Sequence, residues 1–257
     1  MRHQKRLFIK IDCVIMMILN FIKKIFFKFH ILFAIIITSN SYAQLNKNKP
    51  VIGNWTMFNG QFKMNEKFGI HLEAQFRDYK LLNQPEQILF RTGLIYYLNS
   101  VSNLTFGYAS IHNYSFDDAL FERPLVSENR AWEQLLLKQN IGRFYLEHRY
   151  RIEQRWIETS TDKFYRDRLR YLLRVNIPIN KKTMEARAMF LSFYDEIFIH
   201  ITSNPFDRNR LYAGIGYQFS NRLTTQVGYM AQTVNVVTKS YLQLAVNYNF
   251  DLSKAKN

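Results

Sequence analysis

YLEHRYRIEQRW, residues 145–156, places a charge at every second position: Glu147, Arg149, Arg151, Glu153 and Arg155. Leu146, Tyr150 and Ile152 stand between them. At about 100° per residue a helix would scatter such charges around its whole circumference. A β-strand keeps them on one face, because successive side chains point to opposite sides of the sheet. The stretch is therefore read as a strand with one charged and one apolar face.

The pattern recurs along the chain. In 68–77, Phe68, Ile70, Leu72, Ala74 and Phe76 alternate with His71, Glu73, Gln75 and Arg77. In 163–178, Tyr165, Leu169, Tyr171, Leu173, Val175 and Ile177 oppose Arg166, Arg168, Arg170 and Arg174. Residues 87–98 and 242–250 alternate in the same way. Less regular segments lie at 51–63, 103–114, 127–139, 184–199, 208–219 and 222–235. Helical periodicity is almost absent, and nothing marks a second domain.

Eleven strands are countable, whereas bacterial single-chain barrels have even numbers. The expectation is an all-β, antiparallel up-and-down transmembrane β-barrel over 51–250 with about 12 strands, 10 being the alternative. Connections near 64–67, 99–102, 140–142, 179–183 and 220–221 read as tight. Those near 80–86, 115–126, 157–162, 200–207 and 236–239 read as longer and are expected on the outer side. In a soluble carrier the apolar faces would pack inside; in a membrane barrel they meet lipid and the arginines line the lumen. Strands of 11–15 residues favour the barrel, since a tilted membrane strand needs about 9–11. So do aromatic residues grouped toward strand ends, and a last strand ending in Tyr248-Asn249-Phe250. Glu133, His148 and Asp167 fall on the face assigned to lipid and do not fit it. Segment 184–199 is apolar on both faces, which a bulge would explain.

The first 43 residues read as a cleaved signal peptide. Lys23, Lys24 and Lys28 precede the apolar run Ile31–Ile37, and Ser41-Tyr42-Ala43 forms a small-x-small site before Gln44. Met16 and Met17 are alternative starts. Residues 44–50 are a lead-in and 251–257 a tail. Removal of 1–43 takes away Cys13, the only cysteine, and leaves 28 Lys+Arg against 19 Asp+Glu in 214 residues. Disulfides and thiol chemistry are thereby excluded. Export to the bacterial outer membrane makes nucleic acid an improbable partner for the surplus positive charge.

Several short motifs together resemble a known family: Asn54-Trp55, Arg91-x-Gly93-x-x-Tyr96, Gly107-Tyr108, Glu128-x-Arg130-x-Trp132-x-Gln134, His148-Arg149-x-Arg151-x-Glu153-x-Arg155, Arg168-x-Arg170-Tyr171, Glu196-x-Phe198 and Gly228-Tyr229. The chain is similar over most of 51–250 to domain of unknown function 2490, regarded as a group of outer-membrane β-barrels of Gram-negative bacteria. The resemblance implies fold and location. It implies no activity.

Arg149, Arg151, Arg155, Arg166, Arg168, Arg170 and Arg174, with Arg77, Glu73, Glu147 and Glu153, are the candidate pore-lining, anion-binding residues. A six-residue loop at 157–162 would pair Glu153 with Arg166, Arg151 with Arg168 and Arg149 with Arg170. Facing arginines repel, so carboxylates such as Glu73, Glu128 and Glu147, or anions from solution, must compensate. Rings of arginine suit anion pores, and a small anion-preferring pore is the expected role. A non-conducting structural barrel is the alternative, with a lipid-acting barrel enzyme or a soluble periplasmic binding barrel behind it. Ser110 and His112 share a strand face without a fixed acidic partner, Asp117-Asp118 reads as a loop pair, and the histidines are isolated. No catalytic, cofactor or metal residues are expected. Expected partners are outer-membrane lipid, lipopolysaccharide, the barrel-assembly machinery and small anions.

Overall fold

The computed structural model describes residues 52–116, 125–201 and 205–252. The expected signal peptide 1–43, the lead-in 44–50, the Asp117-Asp118 pair and the tail beyond Leu252 lie outside them. Eleven strands form: β1 (Ile52–Lys63), β2 (Phe68–Lys80), β3 (Asn83–Tyr97), β4 (Ser102–Asn113), β5 (Val126–Ile141), β6 (Phe144–Thr159), β7 (Lys163–Pro178), β8 (Ala188–His200), β9 (Phe206–Gln218), β10 (Leu223–Val234) and β11 (Val237–Asp251). Each pairs with its sequence neighbours, and β1 joins β11 to close a barrel.

The number is eleven rather than twelve or ten. In an up-and-down chain strands alternate in direction, so the first and last of an odd set run the same way and must close in parallel. They do, over twelve consecutive Cα partners from Ile52–Ser240 to Lys63–Asp251. The eleven segments counted in the sequence were the strands, and parity is met by the seam.

The expected contrast of tight and long connections is also absent. At the end holding the β1–β2 turn, the connections are 64–67, 98–101, 142–143, 179–187 and 219–222. At the opposite end they are 81–82, 114–125, 160–162, 201–205 and 235–236. Three of the supposed longer loops shrink to two or three residues because β2, β3, β6, β10 and β11 run further than their alternation shows. Gly142 (φ 58°) and Asn235 (φ 54°) supply the left-handed conformation that two of the two-residue turns use.

Period-two alternation decides the two faces. Ile70, Leu72, Phe76, Phe90, Leu94, Phe106, Ile152, Leu169, Leu242 and Leu244 point outward and are exposed. Glu73, Gln75, Arg77, Arg91, Glu128, Arg130, Arg151, Glu153, Arg168 and Arg170 point inward and are buried. Outward aromatics gather toward strand ends, with Phe68–Tyr96 at one end and Trp156–Tyr165 at the other. The polar residues that fitted poorly do face outward and are supplied by neutral donors. Gln154 Nε2 donates to Glu133 at 3.1 Å, Tyr165 donates to Asp167, and His148 Nδ1 lies 2.9 Å from the Tyr171 hydroxyl.

The interior also holds apolar material. Trp55, Leu172, Tyr194, Tyr212, Met230 and Tyr241 form one buried cluster, and Leu89, Ala109, Ile111 and Trp132 another. Glycines make room for the large rings. A Cβ at Gly107 would stand 2.6 Å from Trp132 ring atoms, and one at Gly216 would enter the Phe190 ring. This explains the double apolarity of 184–199: Phe190, Tyr194 and Phe198 fill the lumen while Met189, Leu191 and Phe193 face out. A register irregularity does occur, between Phe198 and Ile199 against β9. It leaves Asp207 unpaired in the ladder and turns its carboxylate toward Arg168.

Candidate functional site

Glu153, wholly enclosed at mid-length of β6, is the hub of the interior. Arg168 donates to its Oε2 from Nε at 3.0 Å and Nη2 at 2.5 Å, and Arg170 Nη1 donates to Oε1 at 2.6 Å. Arg91, Arg130 and Arg151 approach the same carboxylate at 3.7, 3.6 and 3.9 Å. One acid thus gathers five guanidiniums from β3, β5, β6 and β7. A buried charge persists only when paired and hydrogen-bonded, and each of these arginines has a further partner.

Arg91 Nη1 also donates to both oxygens of Glu73, at 2.9 and 2.7 Å. Glu128 accepts from Arg130 Nε at 2.5 Å and Arg155 Nε at 2.5 Å. Glu196 accepts from Arg149 Nη2 at 2.8 Å and Arg170 Nη2 at 2.6 Å, with Arg210 Nη1 at 3.4 Å. Asp207 Oδ2 accepts from Arg168 Nη1 at 2.7 Å. Arg174 Nη1 donates to Glu147 at 3.2 Å.

Among the described residues, this inward set holds eleven arginines (77, 91, 130, 149, 151, 155, 168, 170, 174, 208, 210) and six carboxylates (73, 128, 147, 153, 196, 207). Aromatic faces carry part of the surplus. Arg77, which has no carboxylate within 4.0 Å among the described residues, lies 3.5 Å above Trp55. Arg210 lies 4.7 Å from Trp55 and 4.5 Å from Phe198, and Arg151 lies 4.7 Å from Trp132. A desolvated cation on an aromatic face gains about 2 kcal/mol.

Ten of the eleven candidates from the sequence therefore stand in one connected interior: Glu73, Arg77, Glu147, Arg149, Arg151, Glu153, Arg155, Arg168, Arg170 and Arg174. Arg166 does not join them. It is exposed near the end of β7, 5.2 Å over the Phe164 ring. The expected facing pairs are corrected by two residues. Arg151 faces Arg170, Glu153 faces Arg168 and Arg155 faces Arg166. The cause is the turn: Thr159 N bonds Asp162 O at 2.8 Å, so β6 extends to Thr159 and the six-residue loop becomes three residues.

Sequence reasoning left Arg91, Arg130, Glu196, Asp207, Arg208 and Arg210 out of the candidate set. Arg91, Arg130 and Glu196 were visible in the short motifs and on polar faces. Asp207 was hidden by the bulge. Ser110 and His112 share the outward face, where His112 Nδ1 lies 3.2 Å from Ser127 Oγ. Among the described residues no group of three His, Cys, Asp or Glu is placed to hold a metal.

Beside the network is a cavity of about 390 Å³. Its lining runs from Asn221, Thr224, Asn140 and Tyr145, near the β1–β2-turn end, past Arg168, Arg170 and Arg210 to Gln87 and Arg208 toward the opposite strand ends. Glu128, Glu153, Arg155 and Asp207 are not in the lining. Most of the lining lies between the β1–β2-turn end and the ion network, and this part of the interior forms a cup.

A family model described as "Protein of unknown function (DUF2490)" matches residues 52–243, the whole barrel except the second half of the last strand. An uncharacterized protein of Methylorubrum extorquens is 28% identical over 170 residues, which cover 63% of this chain and 69% of that protein. No solved structure matches. The matched span takes in the hub Glu153 and all eleven inward arginines, and by it the chain belongs to the family of proteins of unknown function DUF2490.

Proposed function

We propose that the chain spans the bacterial outer membrane as a barrel and that its arginine-rich lumen prefers small anions. One observation carries the location: the residues turned to the surroundings are apolar along most of the barrel wall. Phe90, Phe106 and Leu94 are about half exposed (53%, 54% and 47%), and the charges are concentrated inside. Apolar patches on soluble monomers rarely exceed a few hundred Å². Strands of 12–16 residues are long enough to cross hydrocarbon when tilted. Outer-membrane lipid and lipopolysaccharide are then the surroundings, and the barrel-assembly machinery is the partner during insertion.

The anion preference follows from eleven arginines facing six carboxylates. Conductance across a planar bilayer tests it. The expected result is a current carried preferentially by chloride, with Arg149→Glu lowering that preference. Arg149 is the better probe than Arg168, because its side chain meets the open cup while Arg168 is clamped between Glu153 and Asp207.

The enclosed layer around Glu153 favours a second reading, a barrel that does not conduct. Electrical silence at all voltages would select it and discard the pore. The proposal includes no enzymatic activity; acyl chains released from, or transferred between, phospholipid and lipopolysaccharide would overturn that part.

A further inference from the structure

The cup is chemically two-sided. On β1, β10 and β11 the inward positions lining it are uncharged: Trp55, Met57, Asn59 and Gln61; Thr224 and Gln226; Gln243, Ala245, Asn247 and Asn249. β11 lies between β1 and β10, so these uncharged residues form a continuous wall. Asn59 faces Asn247 and Gln61 faces Asn249, and Asn59 Nδ2 donates to Asn247 Oδ1 at 3.2 Å. The arginines occupy β2, β3, β5–β7 and β9.

Besides Arg208 near the start of β9, 22% exposed, two of those arginines reach the open space. The side chains of Arg149 and Arg174 are 19% and 23% exposed, against 2–9% for the layer around Glu153 and Glu128. Arg149 makes one ion pair, to Glu196, and Arg174 one, to Glu147. The groups lining the cup also have more donors than acceptors left over. Nε of Arg77, Arg91 and Arg174, Nη1 of Arg151 and Nε2 of Gln243 are buried without a hydrogen-bond partner, against a single acceptor, Asn176 Oδ1. Buried donors are normally satisfied, and planar guanidiniums fit carboxylate or phosphate oxygens two at a time.

From these features we propose that the cup binds a small, hydroxyl-rich molecule carrying an anionic group: an acidic sugar or sugar phosphate. The inference rests on the anion-preferring lumen and names its ligand class. The anionic group lies against Arg149 and Arg174, with Arg151 behind them. The hydroxyls lie against the amide wall, where each Asn or Gln offers both a donor and an acceptor. The cavity falls within the roughly 300–1,000 Å³ typical of small-molecule sites. A simple inorganic anion would use only the arginine side; a neutral sugar would use only the amide side.

The test is titration calorimetry on the full chain in detergent with galacturonate, glucose 6-phosphate, glucose, acetate and inorganic phosphate. At least one acidic sugar is expected to bind roughly tenfold or more tightly than glucose, acetate or phosphate, the value of one charge-assisted hydrogen bond. Galacturonate against glucose 6-phosphate separates a carboxylate from a phosphate group. Arg174→Gln should weaken the acidic sugar by a similar factor. Asn247→Leu should weaken it while leaving acetate and phosphate unchanged. Equal binding of all five compounds, or binding of none, overturns the inference on the parent chain alone, whatever the folding of the variants. An anion-selective current without acidic-sugar binding discards this inference and keeps the pore. Acidic-sugar binding by an electrically silent barrel discards conduction and keeps the site.

Discussion

Replacing Glu153 by Gln removes one negative charge and almost no volume from the centre of the barrel. In the parent, Arg168 and Arg170 together make three hydrogen bonds to this carboxylate at 2.5–3.0 Å, and three more guanidiniums lie within 4.0 Å. The glutamine keeps one acceptor oxygen but aims an N–H₂ group at a cation. Arg151 and Arg170, which face each other across β6 and β7, lose the acid between them. Removing one partner of a buried ion pair costs about 3–5 kcal/mol, because the remaining charge is left uncompensated. Here Glu196 still holds Arg170 and Asp207 still holds Arg168, which keeps the expected loss in that range despite the five cations. Equilibrium unfolding in urea, with the protein in lipid vesicles, measures it. A variant within about 0.5 kcal/mol of the parent would refute the reasoning. It would mean the arginine layer is hydrated and needs no central acid.

Other perturbations separate the outside from the inside. Leu244→Arg, at mid-length of β11 and 42% exposed, should cost about 2–4 kcal/mol in vesicles if that face meets hydrocarbon; a soluble barrel would tolerate it within about 0.5 kcal/mol in buffer. Gly107→Ala should destabilise by about 1–3 kcal/mol in the same unfolding assay, since its methyl would press on Trp132 and the Thr92 carbonyl. Glu66→Gln, on an exposed turn beside Lys63, should change stability by no more than about 0.5 kcal/mol.

The two faces of each strand were legible because alternation is a local property: YLEHRYRIEQRW carries it within twelve residues. Register was not, because it depends on turn length, and the extension of β6 to Thr159 moved the β7 partner of Arg151 by two positions. The hub was hidden for a related reason. Glu153 and Glu147 have the same local pattern, yet Arg91 and Arg130 converge on Glu153 from β3 and β5, through stagger accumulated over several strands. Asp207 was out of reach, since a bulge sets its direction and nothing in the alternation of 208–219 announces one.

Parity of the barrel and polarity of its lumen are connected through the seam. With eleven strands, β1 and β11 must pair in parallel, where hydrogen bonds are slanted and pairing is slightly weaker per residue. An arginine row on both sides of such a seam would add like-charge repulsion to the weakest pairing in the wall, as Arg151 and Arg170 add it between β6 and β7. There the repulsion is offset by Glu153 and by sixteen-residue antiparallel strands. At the seam the residues lining the cavity are instead neutral, and Asn59 and Asn247 reinforce the ladder with a side-chain hydrogen bond. Keeping the arginines on β2, β3, β5–β7 and β9, and only uncharged lining residues on β10, β11 and β1, thus protects the closure. The same division gives the cup one wall for charge and one for hydroxyl groups.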